Sequence, residues 1–385
     1  MSGTIATNPN RQSGTIGPVP SAIKDSGDPT KTTNPSSGVG AEWINTTSGV
    51  IFMCTDATTN DNTWIAQTGS PISIGDRGLW MGGSNGIYAN EQDIYNSIDY
   101  ISINTLCDST LFGDLLARKY EPTGVSNGTN GRGVTCGGLI WYTGSSTTVY
   151  NTMEYVTINT LGNAIDLGDM TSSYQSMSGC SNATDDRGIL WGGSPPGGGN
   201  THIDYFTITS TGNAADFGDK TVATRYSAAT DNGTDDRGVS VGGDGAATGY
   251  DMMEYVTISS TGNATDFGDL TQARMQLSAT SNSVNNRGVV AGGTKDGTTY
   301  NIIDYFTINN TGNATDFGDL TLARKGLSAL SNGTGERGIF SSGDPVGTAR
   351  QRMDYITINN TGNATVFGSM RKSTLTLGSA SDCGT

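Results

Sequence analysis

Histidine is almost missing from this chain: His202 is the one example in 385 residues. A copper or zinc centre built on imidazoles has too few ligands here, and no Ser/His/Asp set stands out. Cysteine offers no substitute. Cys54, Cys107, Cys136, Cys180 and Cys383 are odd in number, and no two have C-x₂-C spacing. Scattered thiols are expected, rather than a zinc site, a redox pair or a disulfide framework. Positive charge is scarce as well. Lys+Arg 21 against Asp+Glu 36 leaves a net charge of −15, which excludes the basic face a nucleic-acid binder needs. No apolar run approaches the ~18 residues of a membrane span. The opening MSGTIATNPNRQSG lacks the apolar stretch of a signal peptide. Neither a membrane partner nor a cofactor or metal is expected.

Glycine, by contrast, is abundant: 56 residues, roughly twice the usual share. Much of it belongs to a sixfold repeat. An Arg-Gly pair recurs at Arg77, Arg132, Arg187, Arg237, Arg287 and Arg337, with spacings of 55, 55, 50, 50 and 50. A Gly doublet follows each pair, decaying to Ser342-Gly343 in the sixth repeat. Then comes an acid before Tyr: Asp99, Glu154, Asp204, Glu254, Asp304 and Asp354. A TGN or LGN turn in five repeats, and an FGD-type triplet, complete the unit. A period near 50 without helical patterning points to four-stranded propeller blades. The last repeat shows the strands: Leu327 to Asn332, Arg337 to Gly343, Met353 to Asn359, Ala364 to Met370. In Ile303-Asp304-Tyr305-Phe306-Thr307-Ile308 both faces are largely apolar, as in a sheet covered on both sides. The first strand of each unit has small residues, suited to the crowded centre.

Strand counting predicts closure. Leu375 to Ser381 reads as a first strand with nothing downstream, and the strand at Arg77 has no good partner upstream. The C-terminal strand is therefore expected to complete the first blade and remove its open edge.

Arg324, Leu327-Ser328-Ala329, Arg337-Gly338, Gly343 and Asp354-Tyr355 together resemble the kelch-type propeller pattern, over about residues 71–385. The kelch outer-strand Trp is missing; Phe267, Phe317 and Phe367 stand near its place. The resemblance implies an all-β, six-bladed kelch-like β-propeller, preceded by an extended arm (1–40) and a small β module (41–70). Residues 1–40 are rich in Ser, Thr, Gly, Pro and Asn, a composition that stays extended. In 41–67, the run W-x-N-T-T-x-G-x-x-F-x-C-T-D-A-T-x-N-x-x-x-W resembles short modules near the N-termini of tailed-phage fibre and other virion proteins. That resemblance implies a virion location, other virion proteins as partners of residues 1–40, and several copies in an assembly.

A catalytic set would break the repeat symmetry, whereas the six Arg recur in every unit. They are expected to form a structural ladder, with Asp169, Asp219, Asp269 and Asp319 of the FGD triplets as partners. Asp-Phe-Gly at Asp216, Asp266 and Asp316 lacks every other kinase element. The Asp-rich turns at Asp185-Asp186, Asp231 and Asp235-Asp236 lack the spaced calcium pattern and read as solvated turns. His202 reads as a surface-loop residue.

Length variation is the best pointer to function. The segment after the Gly doublet is 14 residues in the first two repeats (84–97, 139–152) and 9 in the other four. The long segments carry Tyr88, Tyr95, Trp141, Tyr142 and Tyr150, residue types that stack on sugars or anchor protein contacts. These five are the candidate receptor- or glycan-binding residues. The expected role is adhesion or decoration without catalysis, on a phage particle; a secreted lectin-like propeller is the alternative.

Overall fold

The computed structural model describes residues 22–26, 29, 32–46, 51–60, 63–66, 77–128, 131–195, 198–245, 249–345 and 350–381. The start of the arm, the turn at 47–50 and Cys383 lie outside the described residues. The chain is all-β and divides into two compact units, 1–73 and 74–385.

In the first unit, Ile23–Asp25 pairs in parallel with Glu42–Asn45, which is followed by antiparallel Ile51–Asp56 and Thr63–Ala66. Ala41, Trp43 and Cys54 are buried. The small module thus begins at Ile23 rather than at 41, because a short segment of the polar arm supplies its edge strand.

Among its described residues the second unit holds six four-stranded antiparallel sheets, I to VI, each in the order first, second, third, fourth strand. Sheets II to VI open with Thr123–Ser126, Ser178–Ser181, Ala228–Asp231, Ser278–Ser281 and Ser328–Ser331. In each, the Arg-Gly segment is the second strand, the acid-Tyr segment the third and the FGD segment the fourth. Sheet I takes its first strand from the far end of the chain. Gly378–Ser381 pairs with Arg77–Met81 in the register Gly378↔Met81 to Ser381↔Gly78, as strand counting predicts.

The first strands touch in the order I, II, III, IV, V, VI and back to I, so the contacts form a closed cycle. Side-chain size makes this possible. Several Arg-Gly glycines lie where a neighbouring sheet's side chain packs: a Cβ on Gly78 would stand 2.6 Å from Leu330, and one on Gly238 2.8 Å from the Cys180 sulfur. Apolar residues from neighbouring sheets then share one core. Val239, Met253 and Phe267 of sheet IV, for example, pack with Val290 and Phe306 of sheet V.

The outer ends meet through backbone. The carbonyls of Asp114, Asp169, Asp219, Asp269 and Asp319 each accept a 2.8 Å bond from the Ala after the next sheet's Gly-Asn turn. The Asn side chains of those turns (Asn163, Asn213, Asn263, Asn313, Asn363) accept from the same Asp N–H groups. Between sheets VI and I, where the turn reads Cys107-Asp108, the Asp108 carboxylate does the same for the Ser369 N–H. The FGD glycine is needed for this approach. A Cβ on Gly113 would lie 2.0 Å from the Gly162 carbonyl oxygen, whereas one on Gly162 meets nothing within 4 Å. Gly113→Ala should therefore lower stability by about 1–3 kcal/mol, read as a lower denaturant midpoint, and Gly162→Ala should leave the midpoint nearly unchanged.

Candidate binding face and central cavity

The six repeated arginines do link the sheets, but not through the expected carboxylates. The Nη1 of Arg77, Arg132, Arg187, Arg237, Arg287 and Arg337 donates to Ile158, Ile208, Ser259, Asn309, Asn359 and Asn104 carbonyls, at 2.6–3.0 Å. Each acceptor belongs to the next sheet, and the sixth returns to sheet I. Each guanidinium also lies over the Tyr of its own sheet, from 3.8 Å at Arg132–Tyr155 to 4.9 Å at Arg337–Tyr355. Asp169, Asp219, Asp269 and Asp319 are not their partners. The register explains why. Arg187 stands opposite Thr207 at the end of the third strand, whereas Asp219 stands opposite His202 near its start.

The acids before Tyr are all buried. Each is reached from the end of the preceding sheet's fourth strand or from the segment after it. Lys119 meets Glu154 at 2.5 Å, Arg274 meets Asp304 at 2.6 Å and Arg324 meets Asp354 at 2.9 Å. Arg371 closes the cycle on Asp99 at 2.6 Å. In the other two sheets the partners are weaker donors: Thr171 and His202 for Asp204, and the Thr221 N–H for Glu254. His202 is thus a half-buried strand residue on a carboxylate, not a loop residue. The Asp-rich turns are bonded as well: Asn127 and Asn182 donate to Asp186 and Asp236 of the next sheet, at 2.9 and 3.0 Å.

At the centre lies a cavity of about 140 Å³, lined by the first strands of all six sheets. Six residues frame its mouth: Glu121, Ser176, Tyr226, Gln276, Gly326 and Thr376. Each N–H donates to the previous residue's carbonyl, Ser176 to Glu121 and so on round to Glu121 to Thr376, at 2.8–3.2 Å. All six have φ between 54° and 64°, a region that costs a side chain strain, yet only Gly326 is glycine. Ser176 and Tyr226 hydroxyls donate to the Glu121 carboxylate, Tyr226 at 3.4 Å. Burial pushes the Glu121 carboxyl above its ordinary range, and pushes the Tyr226 phenol up to about 12. Arg225, paired with Asp244 at 3.0 Å, lies 5.2 Å over the Tyr226 ring.

The long loops of sheets I and II are on this same face. The Tyr88 carbonyl accepts from the Thr143 N–H, joining the two loops. Tyr88 packs on Tyr120 at 5.1 Å and on Trp141 at 6.0 Å, and Trp141 is 37% exposed. Tyr95 and Tyr150 stand instead against the ammonium groups of Lys372 and Lys119, at 4.4 and 5.1 Å. Tyr142 is half-buried, its N–H bonded to Ser145. The structure therefore brings Tyr88 and Trp141 together and gives Tyr95 and Tyr150 cationic partners. Sequence reasoning missed Glu121, Ser176, Tyr226 and Gln276. The repeat offered no signal there, because the residues before these positions (Tyr120, Gln175, Arg225, Met275, Lys325 and Leu375) vary as much as they do.

Protein-family models and curated protein sequences give no match to this chain.

One first-strand residue also breaks the pattern. Ser126, Ser181, Ser281, Ser331 and Ser381 occupy a position where sheet IV has Asp231, fully buried and bonded to the Ser181 and Gly233 N–H groups. Burial pushes its carboxyl from 3.8 up to about 7. Folding then takes up a proton between those values, so stability falls as pH rises through that window, and the full cost is present above it. Asp231→Ser should raise the melting temperature at pH 8, by roughly 5 °C, and the gain should vanish as pH falls toward 4. Circular-dichroism melts across that range check it.

Proposed function

We propose that this chain is a non-enzymatic structural protein of a tailed-phage virion. Its six sheets are the blades of a kelch-like propeller, and residues 1–40 help anchor it to the particle among other copies and other virion proteins. The observation that carries this reading is a division of labour. The repeated Arg and acidic side chains are spent on joins between sheets, while the length variation and the exposed Trp141 gather in the loops of sheets I and II. A rigid repeated frame with variable aromatic loops suits adhesion. The closed cycle of first-strand contacts supports the propeller reading, and the division at Ser73 supports a separate attachment unit. The tryptophan-flanked module at 41–67 supports the particle. A secreted lectin-like propeller would use the same loops, without a particle.

Trp141→Ala combined with Tyr142→Ala should weaken attachment to host cells by ~1–3 kcal/mol, with little change in melting temperature. Normal attachment by the double variant would overturn the assignment of these loops. Removal of residues 1–40 should leave a folded 74–385 unit that no longer enters particles, scored by particle purification and immunoblot. Removal of 1–21 alone spares the edge strand Ile23–Asp25, and so separates loss of the arm from damage to the module.

A further inference from the structure

The six mouth positions share one backbone conformation and one bonding scheme, yet their side chains differ at every position. Where the frame fixes a contact the repeat holds its side chain: Arg six times at the second strand, Asn at five successive outer turns. Gly326 shows what the backbone alone would accept. Carboxylate, hydroxyl, phenol and amide at a strained position are therefore not explained by the frame. They surround a cavity with room for on the order of ten waters, comparable to the twelve or so heavy atoms of one hexose.

We propose that this mouth is a binding site for a single neutral sugar residue, held by Glu121, Ser176, Tyr226 and Gln276. The chemistry is that of polyol recognition. Glu121 keeps lone pairs free to accept, the Ser176 and Tyr226 hydroxyls, whose protons are directed at Glu121, accept, and Gln276 offers a donor and an acceptor. Vicinal hydroxyls, each also donor and acceptor, match such a mixed set. Tyr226 is fixed by Arg225 over its ring and presents an aromatic surface beside the polar groups. The Gln276 amide makes no hydrogen bond to a described residue and is uncommitted. Glu121 at the mouth and Asp231 further in make an anionic sugar or a phosphate a poor guest. The arginine nearest the mouth, Arg225, is already paired with Asp244. The site is distinct from the Tyr88–Trp141 cluster, and the inference holds equally for a displayed and a secreted protein.

The full chain can be titrated by calorimetry and by saturation-transfer NMR with glucose, galactose, mannose and N-acetylglucosamine. Glucosamine and sialic acid serve as the cationic and anionic comparisons. At least one neutral sugar should bind, and neither charged sugar should bind more tightly. Gln276→Ala should weaken binding by about tenfold or more, the loss of one or two buried hydrogen bonds, without lowering the melting temperature. Tyr226→Phe should weaken it similarly, and Trp141→Ala should leave it unchanged. The proposal is overturned if no neutral sugar binds, if a charged sugar binds best, or if Gln276→Ala binds as the parent does.

Discussion

Everything in the second unit depends on adjacent sheets coming close enough to hydrogen-bond through their backbones at both ends. At the inner end the six mouth residues pass an N–H bond round a complete circuit. At the outer end the FGD carbonyl bonds across the gap to the next turn. Sheets normally pack face to face at about 10 Å, with side chains filling the space between them. Here the faces converge toward the centre, and size falls with them. Phe and Ile fill the third and fourth strands, while Ala, Ser and Gly fill the first. The high glycine content follows from that geometry. Gly78, Gly113 and Gly238 each sit where a methyl group would meet a neighbouring atom well inside van der Waals distance.

The same closeness governs charge. A third strand covered on both sides cannot solvate its acid, so each acid draws a donor from the sheet before it. The donors differ because the segments that carry them differ: Lys119, Arg274, Arg324 and Arg371 where a cation reaches, Thr171 and the Thr221 N–H where none does. Lys220, near Glu254 but bonded to Thr224 and Ser240, has its ammonium pushed down to about 8 by burial. The repeated arginines face a different problem. Each keeps its guanidinium stacked on a tyrosine and spends one N–H on a carbonyl next door, so the repeat needs no matching acid.

Period and composition made much of the frame legible. Six units, four strands in each and the pairing of Gly378–Ser381 with Arg77–Met81 could be read from where the Arg-Gly pairs and small-residue strands fall. The destination of the arginines could not be read, because it depends on which end of the fourth strand lies beside them. A bulge between Ile203 and Asp204 also shifts that pairing by one residue. The mouth residues were harder still. Their common feature is a left-handed backbone, and Glu, Tyr, Gln and Thr give no sign of it in a sequence. In the first unit, nothing in the low-complexity stretch marks Ile23–Asp25 as a strand; its pairing with Glu42–Asn45 is a tertiary choice.

The placement of the C-terminal strand has a mechanical consequence. Arg77–Met81 is bonded on one side to Gly378–Ser381 and on the other to Ser97–Ser102. Tension carried along the chain from the first unit reaches this strand before any other described strand of the second. A strand held in two ladders at once resists a pull along its axis with the bonds of both, whereas an edge strand would have one ladder to resist with. By closing the cycle with its last residues, the chain places the point where it is pulled inside a sheet rather than on its margin.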